Sequence, residues 1–264
     1  MPADRVRYAT WNVNSLKARR ERVLEWMTHA EPDVLCLQET KLADASFPAL
    51  DFAAAGYEAV HHGEGRWNGV CLISRLPITD VVAGFADGGP PDDEARLLTA
   101  RCGSSLIVTV YVPNGRAVDH EHYEYKLRWL DRLRDHLDAL TTATDDVIVC
   151  GDFNVAPEDR DVWNIDEVHG GTHVSAPERA RLGRLEAWGL EDTFRRCHPD
   201  EDRLYSWWDY RAGNFHKHKG MRIDLMMATR SVADRTRFAL IDRQARKGSS
   251  PSDHAPVLID VDAR

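Results

Sequence analysis

The sequence contains no long apolar run and no apolar leader. No stretch reaches about 18 apolar residues, the length that a membrane-spanning helix requires. Residues 1–11 carry charges at Asp4, Arg5 and Arg7, where a secretory signal would have an uninterrupted apolar segment. We therefore expect a protein that neither crosses a membrane nor is secreted.

Cysteine is scarce, and its pattern argues against a disulfide framework. The chain has 5 cysteines, an odd number, and no two of them form a C-x-x-C pair. Cys36, Cys71 and Cys150 lie within apolar segments, where a thiol behaves as a small hydrophobic side chain. This distribution predicts reduced, structural cysteines, as is usual in a cytosolic protein.

Positive charge is also in short supply, but it is unevenly distributed. The 34 Lys and Arg residues are outnumbered by 43 Asp and Glu residues, for a net charge of -9. Residues 195–247 contain 13 Lys and Arg against 7 Asp and Glu, a local charge of +6, so the remainder carries -15. A phosphate-binding face needs only local positive charge, and acidic residues that hold a cation lower the formal sum because the cation is not counted. The net charge therefore does not exclude a nucleic-acid partner.

The apolar residues that are present form short β-type segments separated by helical patterns. The segments are Val6–Trp11, Val34–Gln38, Gly69–Ser74, Leu106–Val112, Val147–Cys150, Ile223–Ala228 and Pro256–Ile259. Leucines at three-to-four spacing predict a helix over Asp119–Leu140. Ser175, Pro177 and Glu178 have the pattern of a capping box and predict a second helix, which Gly189 ends.

These patterns favour an α/β (α+β) fold in which two mixed β-sheets pack face to face and are flanked by helices. Residues 1–115 and 116–264 each run helix, apolar strand, acidic residue. No Pro/Gly/Ser-rich linker divides them. We interpret them as pseudo-twofold halves of one domain that spans residues 1–264.

Two segments place an acidic residue at the end of a buried strand in the same register. When Asp33–Glu39 is aligned with Asp146–Asp152, four apolar residues face four apolar residues and the two terminal carboxylates fall opposite each other. A third segment, Ser252–Pro256, opens the last apolar run of the chain and supplies an imidazole. Carboxylates of this kind suit a divalent cation, and an imidazole suits a phosphate ester.

Five short motifs occur in order along the chain. They are Thr10–Leu16, Leu37–Lys41, Gly151–Asn154, Arg222–Leu225 and Ser252–Pro256. Each is moderately specific, but together they closely resemble the endonuclease/exonuclease/phosphatase superfamily and, within it, the exonuclease III class of apurinic/apyrimidinic endonucleases. The resemblance extends from Tyr8 to Ile259. It implies a four-layer α-β-β-α sandwich, a divalent-metal site and hydrolysis of phosphodiesters in DNA.

The resemblance implies a metal site at the strand ends. Glu39 is the best single ligand candidate for Mg²⁺, with Mn²⁺ as an alternative, because a hard cation prefers oxygen ligands and needs only one or two carboxylates. Neighbouring candidates for one or two such sites are Asn12, Asp152, Asn154, Asp253 and His254. The cation would polarise a non-bridging phosphate oxygen. Asn154 could instead orient the attacking water or donate to the phosphate.

The catalytic group that the resemblance implies is Tyr111, Asp152, Asn154, Asp224 and His254. Asp152 is expected to act as acid or base, in a division of proton transfers with His254 that stays open. Asp224 would orient and charge the imidazole, although it could instead form an ion pair with Arg222 on the same strand face. Tyr111 would support the pentacovalent transition state, with an ordinary core tyrosine as the alternative.

A further set of residues is implied to contact DNA. The set is Arg66, Trp67, Asn68, Arg96, Asn114, Trp207, Trp208, Met221 and His254. Residues 203–211 interleave aromatic and basic side chains, a pattern that by itself is typical of a half-buried strand. By resemblance, Trp207, Trp208 and Met221 surround a pocket for a flipped abasic sugar, because a tight apolar slot admits a sugar that lacks a base and excludes an intact nucleotide. Met221 stands where relatives have leucine, a swap that keeps the pocket apolar.

The implied function is a Mg²⁺-dependent DNA repair nuclease. It would incise double-stranded DNA 5′ to abasic sites and trim 3′ ends, as a monomer in the cytoplasm, or at the nucleoid if the source is bacterial. One alternative is another hydrolase of the superfamily, such as a phosphoinositide phosphatase, a sphingomyelinase or a secreted DNase. The other is a catalytically silent DNA-binding relative, which we would expect to lack some of Glu39, Asp152, Asn154 and His254.

Overall fold

Twelve β-strands and seven α-helices build the part of the chain that the computed structural model describes, residues 4–264. The strands are β1 Arg5–Asn12, β2 Val34–Gln38, β3 Glu58–His62, β4 Val70–Ser74, β5 Ile78–Ala83, β6 Leu97–Cys102, β7 Ser105–Tyr111, β8 Val147–Asp152, β9 Leu190–Asp192, β10 Asp224–Thr229, β11 Thr236–Ile241 and β12 Val257–Asp262. The helices are α1 Leu16–Ala30, α2 Ala49–Ala54, α3 Glu121–Leu140, α4 Ile165–Val168, α5 Ala176–Trp188, α6 Thr193–Cys197 and α7 Arg230–Ala233. Within residues 4–264, no helix is long and apolar enough to cross a membrane.

The strands form two six-stranded mixed sheets of matching design. The first has the order β11-β12-β1-β2-β4-β3 and the second the order β5-β6-β7-β8-β10-β9. In each sheet the central pair, β1–β2 or β7–β8, is parallel and every other pair is antiparallel. A helix connects each parallel pair, α1 in the first sheet and α3 in the second. The two sheets are related by the predicted pseudo-twofold, with β2 equivalent to β8. The predicted division into residues 1–115 and 116–264 is wrong, because β5, β6 and β7 belong to the second sheet and β11 and β12 return to the first.

The layers follow from the alternation of side chains along each strand. On β2, Cys36 faces the other sheet, while Leu35 and Leu37 face the layer of α1. On β8, Cys150 likewise faces inward, and α3 covers the outer face with leucines that include Leu133. Both cysteines are free and buried, as predicted. The four-layer α-β-β-α sandwich is therefore confirmed.

Two predicted helices have the expected capping. The helix predicted over Asp119–Leu140 begins two residues later, at Glu121, because the His120 side chain caps it by accepting the His122 backbone N–H. Helix α5 has the predicted capping box, and Gly189 ends it with a backbone φ of 126°. Positive φ suits glycine, which has no Cβ to clash.

The strand register brings the functional strand ends together. In the second sheet, Asp152 of β8 pairs in register with Tyr111 of β7 on one side and with Asp224 of β10 on the other. Gly151 precedes Asp152 with a φ of 144°, and a Cβ there would collide with the backbone oxygen of Val110. Glycine is therefore required at this position, where the backbone of β7 leaves no room for a Cβ.

Hydrogen bonds also fasten the two sheets to each other. The Gln38 amide, at the end of β2, donates to Thr10 Oγ1 at 2.9 Å and to Thr109 Oγ1 of the second sheet at 3.0 Å. Tyr8 Oη and Ser105 Oγ lie 2.9 Å apart across the same gap. Because Gln38 immediately precedes Glu39, this contact helps to hold the first-sheet carboxylate against the second sheet.

Candidate active site

Asn12 links two carboxylates that come from different sheets. Its Nδ2 donates to Glu39 Oε1 at 2.9 Å and to Asp152 Oδ2 at 2.9 Å, which uses both amide hydrogens. Glu39 follows β2 with a φ of 52°, a conformation that residues other than glycine adopt rarely and that clusters at functional sites. The predicted opposition of the two strand-end carboxylates is thus present, with the amide between them.

The oxygen atoms around Asn12 fit a divalent cation. Candidate ligand atoms of Glu39, Asp152 and His254 lie within 4.8 Å of one another. The Asn12 Oδ1 accepts one hydrogen bond, from the Asn14 backbone N–H at 3.0 Å, and so keeps one lone pair. Carboxylate oxygens are ligands that a hard cation prefers, and the Asn12 oxygen stays a predicted further ligand.

His254 is arranged as a charged hydrogen-bond donor. Its Nδ1 lies 2.8 and 3.0 Å from the two carboxylate oxygens of Asp224, and its Nε2 lies 3.7 Å from Asp152 Oδ2. Burial lowers the pKa of His254, but the charges of Asp224 and then Asp152 outweigh burial and raise it to about 10. A protonated imidazole has no free lone pair. The contact with Asp224 is the predicted one, and the role of His254 as a metal ligand stays a prediction, since His254 is one of the three residues whose candidate ligand atoms lie close together.

The alternative partner predicted for Asp224 is excluded. The Arg222 guanidinium instead binds Asp161, with Nε 2.7 Å from Oδ1, and Asp192, with Nη1 2.7 Å from Oδ2. Asp224 is itself fully buried, and its carboxylate is left to the imidazole. The charge of Asp224 is therefore available to His254.

Asp152 has the protonation behaviour of an acid or base. Burial, reinforced by the Asp224 carboxylate and opposed by the His254 charge, raises the pKa of Asp152 to about 7. Its Oδ1 accepts the Asn154 backbone N–H at 2.9 Å. A carboxyl group that titrates near neutral pH can take up and release a proton under working conditions.

Tyr111 presents a protonated hydroxyl beside this centre. Burial, and then the charge of Glu39, raises the pKa of Tyr111 well above its ordinary value. The Arg96 guanidinium covers the ring at 4.4 Å from its centroid and donates to the Tyr111 carbonyl at 3.2 Å. Arg96 is only 8% exposed and also binds Glu94. Arg96 therefore supports Tyr111 in this structure, and its predicted DNA contact stays a prediction.

The Asn154 side chain is held at both ends. Its Nδ2 donates to the Val112 carbonyl at 2.9 Å. Its Oδ1 lies 3.3 Å from Asn114 Nδ2 and 3.1 Å from His173 Nε2. Two donors occupy both lone pairs of the oxygen, so the predicted metal-ligand role of Asn154 does not fit. Within residues 4–264, its second Nδ2 hydrogen has no protein partner, which leaves one donor for a substrate.

His173 was not among the predicted residues. It lies in the loop before α5, where only the neighbouring capping box had a recognisable pattern. Burial, and then the nearby Lys126 ammonium, lowers the pKa of His173 to about 3, so the imidazole is neutral at physiological pH. A single histidine between helical segments has no spacing that would mark it as part of a site.

Asp253 lies beside the carboxylate cluster, outside the set of mutually close ligand atoms. Its Oδ1 accepts the Asn14 amide at 3.0 Å and its Oδ2 accepts the Trp207 indole N–H at 3.2 Å. The Asn14 amide oxygen in turn accepts from Lys41 at 2.5 Å. These contacts support a role in anchoring Trp207 more directly than the predicted role in binding metal.

Comparison with known proteins assigns this arrangement to a family. The model of the endonuclease/exonuclease/phosphatase family matches residues 9–254, which is most of the chain and includes every group described above. The chain belongs to this family. The resemblance predicted from the five motifs is confirmed.

Relatives within the family match the chain along almost all of its length. Exodeoxyribonuclease III of Haemophilus influenzae is 30% identical over 263 residues, covering 96% of this chain and 98% of that protein. An AP endonuclease from Archaeoglobus fulgidus superposes with a TM-score of 0.94 at 36% identity, covering 98% of this chain and all of that one. A 3′ phosphatase from Neisseria, solved with a product DNA hairpin, superposes with a TM-score of 0.94 at 33% identity, with the same coverage.

Some of the residues predicted to contact DNA are accessible at the surface, and others are buried. Arg66 and Asn114 are exposed, and Trp67 is 67% exposed. Trp207 and Met221 are half-buried, and each donates its backbone N–H to the other's carbonyl, at 2.9 and 3.0 Å. The alternative of a half-buried strand over residues 203–211 is wrong, because this segment forms only isolated bridges. These five side chains can reach a ligand.

Two predicted DNA contacts are corrected by burial. Trp208 is 0% exposed, and its ring packs edge-on against Phe215 with 5.2 Å between the centroids. Asn68 is 7% exposed; its amide donates to Glu64 at 2.5 Å and its carbonyl accepts the Lys41 backbone N–H at 2.9 Å. Both residues therefore shape the loops that carry exposed contacts, and neither offers its side chain to a ligand.

Proposed function

We propose that the protein is a DNA repair nuclease of the exonuclease III type. It hydrolyses the phosphodiester on the 5′ side of abasic sites in double-stranded DNA and removes nucleotides or blocking groups from 3′ ends. The observation that carries the proposal is the Asn12 amide between Glu39 and Asp152, with the Asp224–His254 pair beside it. The names of the relatives, exodeoxyribonuclease III, AP endonuclease and 3′ phosphatase, support the same class of phosphodiester hydrolase.

Glu39, with Asp152 and the Asn12 oxygen, would hold one divalent cation, which we propose to be Mg²⁺, with Mn²⁺ able to replace it. When bound, the cation supplies positive charge that polarises a phosphate oxygen. Two carboxylates with a single amide oxygen are fewer protein ligands than Ca²⁺ usually takes, and Mg²⁺ commonly keeps several waters in such sites. This argument favours Mg²⁺ for the resident ion.

The remaining groups of the site divide the chemistry among them. Asp152 accepts a proton from the attacking water or returns one to the departing 3′ oxygen, as the phosphorus–oxygen bond breaks. His254 donates its Nε2 hydrogen to the phosphate, so its positive charge offsets the charge that develops there. Tyr111 and Asn154 each contribute a neutral donor, the hydroxyl and the free amide hydrogen. Together these donors favour the transition state over the bound substrate.

The proposed substrate face lies around the site on exposed loops. Trp207 and Met221 would border the extruded sugar, since Trp207 hydrogen-bonds Asp253 next to His254. Arg66 and Trp67 would contact the DNA backbone from the loop that precedes β4. We propose that the protein binds DNA as a monomer.

A duplex with one synthetic abasic site, labelled at its 5′ end, tests the proposal. With Mg²⁺ the wild type should make a single cut at the lesion, and a chelator should abolish it. Asp152→Asn should lower kcat by about 10²- to 10⁴-fold, because it removes the acid–base group while keeping its shape. Asp200→Asn, on an exposed loop, is the matched control and should cut normally. An intact abasic duplex after incubation with wild type and Mg²⁺ would refute the proposed function.

A further inference from the structure

His173 lies outside the five sequence motifs but contacts two asparagines of the site. Its Nε2 lies 3.1 Å from Asn154 Oδ1 and 3.2 Å from Asn114 Nδ2, and its Nδ1 lies 2.8 Å from Thr172 Oγ1. Asn154 and Asn114 follow β8 and β7 respectively, so one imidazole meets the ends of both central strands of the second sheet.

The hydrogen-bond inventory selects one tautomer for this imidazole. Asn154 Oδ1 can only accept, so Nε2 must carry the hydrogen that makes the 3.1 Å contact. Nδ1 is then an acceptor, and the Thr172 hydroxyl can donate to it. A protonated Nε2 cannot accept from Asn114, whose amide instead donates to Asn154 Oδ1 at 3.3 Å. The two donors fix the Asn154 amide with its oxygen toward His173.

The loop holds His173 in a conformation that its own side chain does not favour. Its φ is 81°, in the left-handed region that disfavours residues with a Cβ. Its backbone N–H donates to Glu178 Oε1 at 2.9 Å, and its carbonyl accepts the Ala156 N–H at 2.7 Å. Glu178 is in turn paired with Lys126 at 2.5 Å, and both side chains are fully buried. Such strain persists only where the surroundings over-determine it, and it clusters at working sites.

The buried Lys126–Glu178 ion pair also supports the backbones of Asn154 and Asn114. The Lys126 ammonium donates to the Asn154 carbonyl at 2.6 Å and to the Asn114 carbonyl at 3.2 Å. The backbones of Asn154, Asn114 and His173 are therefore all held by one Lys126–Glu178 unit. This ion pair does not restrict rotation of the Asn154 side-chain amide, because that rotation depends on the side-chain contacts alone.

We propose that His173 is a positioning residue, whose Nε2 hydrogen orients the Asn154 amide so that its free N–H faces the reacting phosphate. The inference rests on the proposed function for the identity of the phosphate, but its structural content is independent of the substrate. Without His173 the Asn154 oxygen keeps only the 3.3 Å contact with Asn114, and the amide is held chiefly by its Nδ2 bond to the Val112 carbonyl. The amide plane can then rotate about that bond and turn its free N–H away from the phosphate.

Two substitutions separate orientation from folding. His173→Gly removes the imidazole and relieves the positive φ, so Tm should stay equal or rise while kcat on the abasic duplex falls about tenfold, with KM within twofold. His173→Gln keeps the strained backbone and places an amide N–H near the position of Nε2, so it should restore kcat to within about threefold of wild type. His29→Gln, on the exposed end of α1, is the matched control and should leave kcat unchanged.

Three results would overturn the proposal: a His173→Gly enzyme with wild-type kcat, a Gln variant as impaired as the Gly variant, or a Tm that falls in parallel with kcat. Long-range ¹H–¹⁵N spectra of the intact protein give a readout that needs no substrate. They should show His173 with hydrogen on Nε2 alone, and hydrogen on Nδ1 would equally refute the inference. If wild type fails to cut the abasic duplex while these spectra show the Nε2 tautomer, the proposed function fails and the contact of His173 with Asn154 stands.

Discussion

Asp224→Asn should remove the positive charge of His254 at neutral pH while leaving the shape of the site intact. Both side chains are buried, and the imidazole Nδ1 lies 2.8 Å from one carboxylate oxygen and 3.0 Å from the other. Asn has the same size as Asp but no charge, and its amide N–H can donate to Nδ1. The neutral tautomer with hydrogen on Nε2 then replaces the imidazolium, because only the charges of Asp152 and Asp253 still oppose the effect of burial on the pKa of His254.

The magnitude follows from the pKa of His254. An increase from the ordinary value of 6.5 to about 10 corresponds to about 5 kcal/mol of preference for the charged form. Because the folded pKa is raised, this stabilisation is fully present below pH 6.5 and is lost as the pH rises toward 10. Asp224→Asn should remove most of this dependence of folding stability on pH. At pH 8 its kcat should be about 10²- to 10³-fold below wild type, since a charged donor to the phosphate becomes a neutral one.

The assay is kcat on the abasic duplex from pH 6 to pH 9, for wild type, Asp224→Asn and the surface control Asp200→Asn. The ratio of wild type to Asp224→Asn should narrow as the pH falls, because acid returns the proton to His254. Thermal unfolding over the same pH range should show that Tm depends less on pH in Asp224→Asn than in wild type. A ratio that is constant with pH, or a His254 pKa that NMR finds unmoved by the substitution, would refute the reasoning.

Two further predictions concern buried groups. Lys126→Met should cost about 3–5 kcal/mol in urea unfolding, because it leaves Glu178 charged and unpaired in the interior, and adding Glu178→Gln should recover much of that loss; a cost below about 1 kcal/mol would contradict the pairing. Burial lowers the pKa of His136 to about 4, where its Nδ1 accepts the Ala86 N–H at 2.9 Å. Between pH 6.5 and 4 the unfolded chain therefore holds more protons, and stability should fall by about 3 kcal/mol as the pH drops through this window. His136→Gln should make Tm nearly independent of pH between pH 6.5 and 4. If the Tm of the variant falls in this range as much as that of wild type, groups other than His136 cause the loss of stability in acid.

The elements that sequence predicts best are those with a strong local signal. Strand β2 matches its predicted bounds, and α3 begins within two residues of the prediction, because apolar runs and leucine spacing report burial directly. The alignment that placed Glu39 opposite Asp152 also anticipates their proximity, since equivalent strands of a pseudo-repeat end at the same edge of the sandwich. These features need no knowledge of distant contacts.

The features that sequence predicts poorly depend on what surrounds each side chain. Arg96 and Trp208 have the residue types of a DNA-binding surface, yet one covers Tyr111 and the other fills a core. The hydrogen-bonding roles of His254 and Asn154 follow from partners that are distant in the sequence. His173 belongs to none of the five sequence motifs. Only packing reveals which of their atoms remain free.

The Asn12 amide bridges the two sheets, so catalytic activity should depend on the distance between them. Asn12 and Glu39 belong to the first sheet and Asp152 to the second, and both bonds of the amide are 2.9 Å long. A separation of the sheets by about 1 Å would take the Asn12–Asp152 bond beyond hydrogen-bonding range while every helix stayed intact. Turnover would then fade before circular dichroism recorded any melting, so a substitution deep in the inter-sheet core can silence the enzyme without unfolding it.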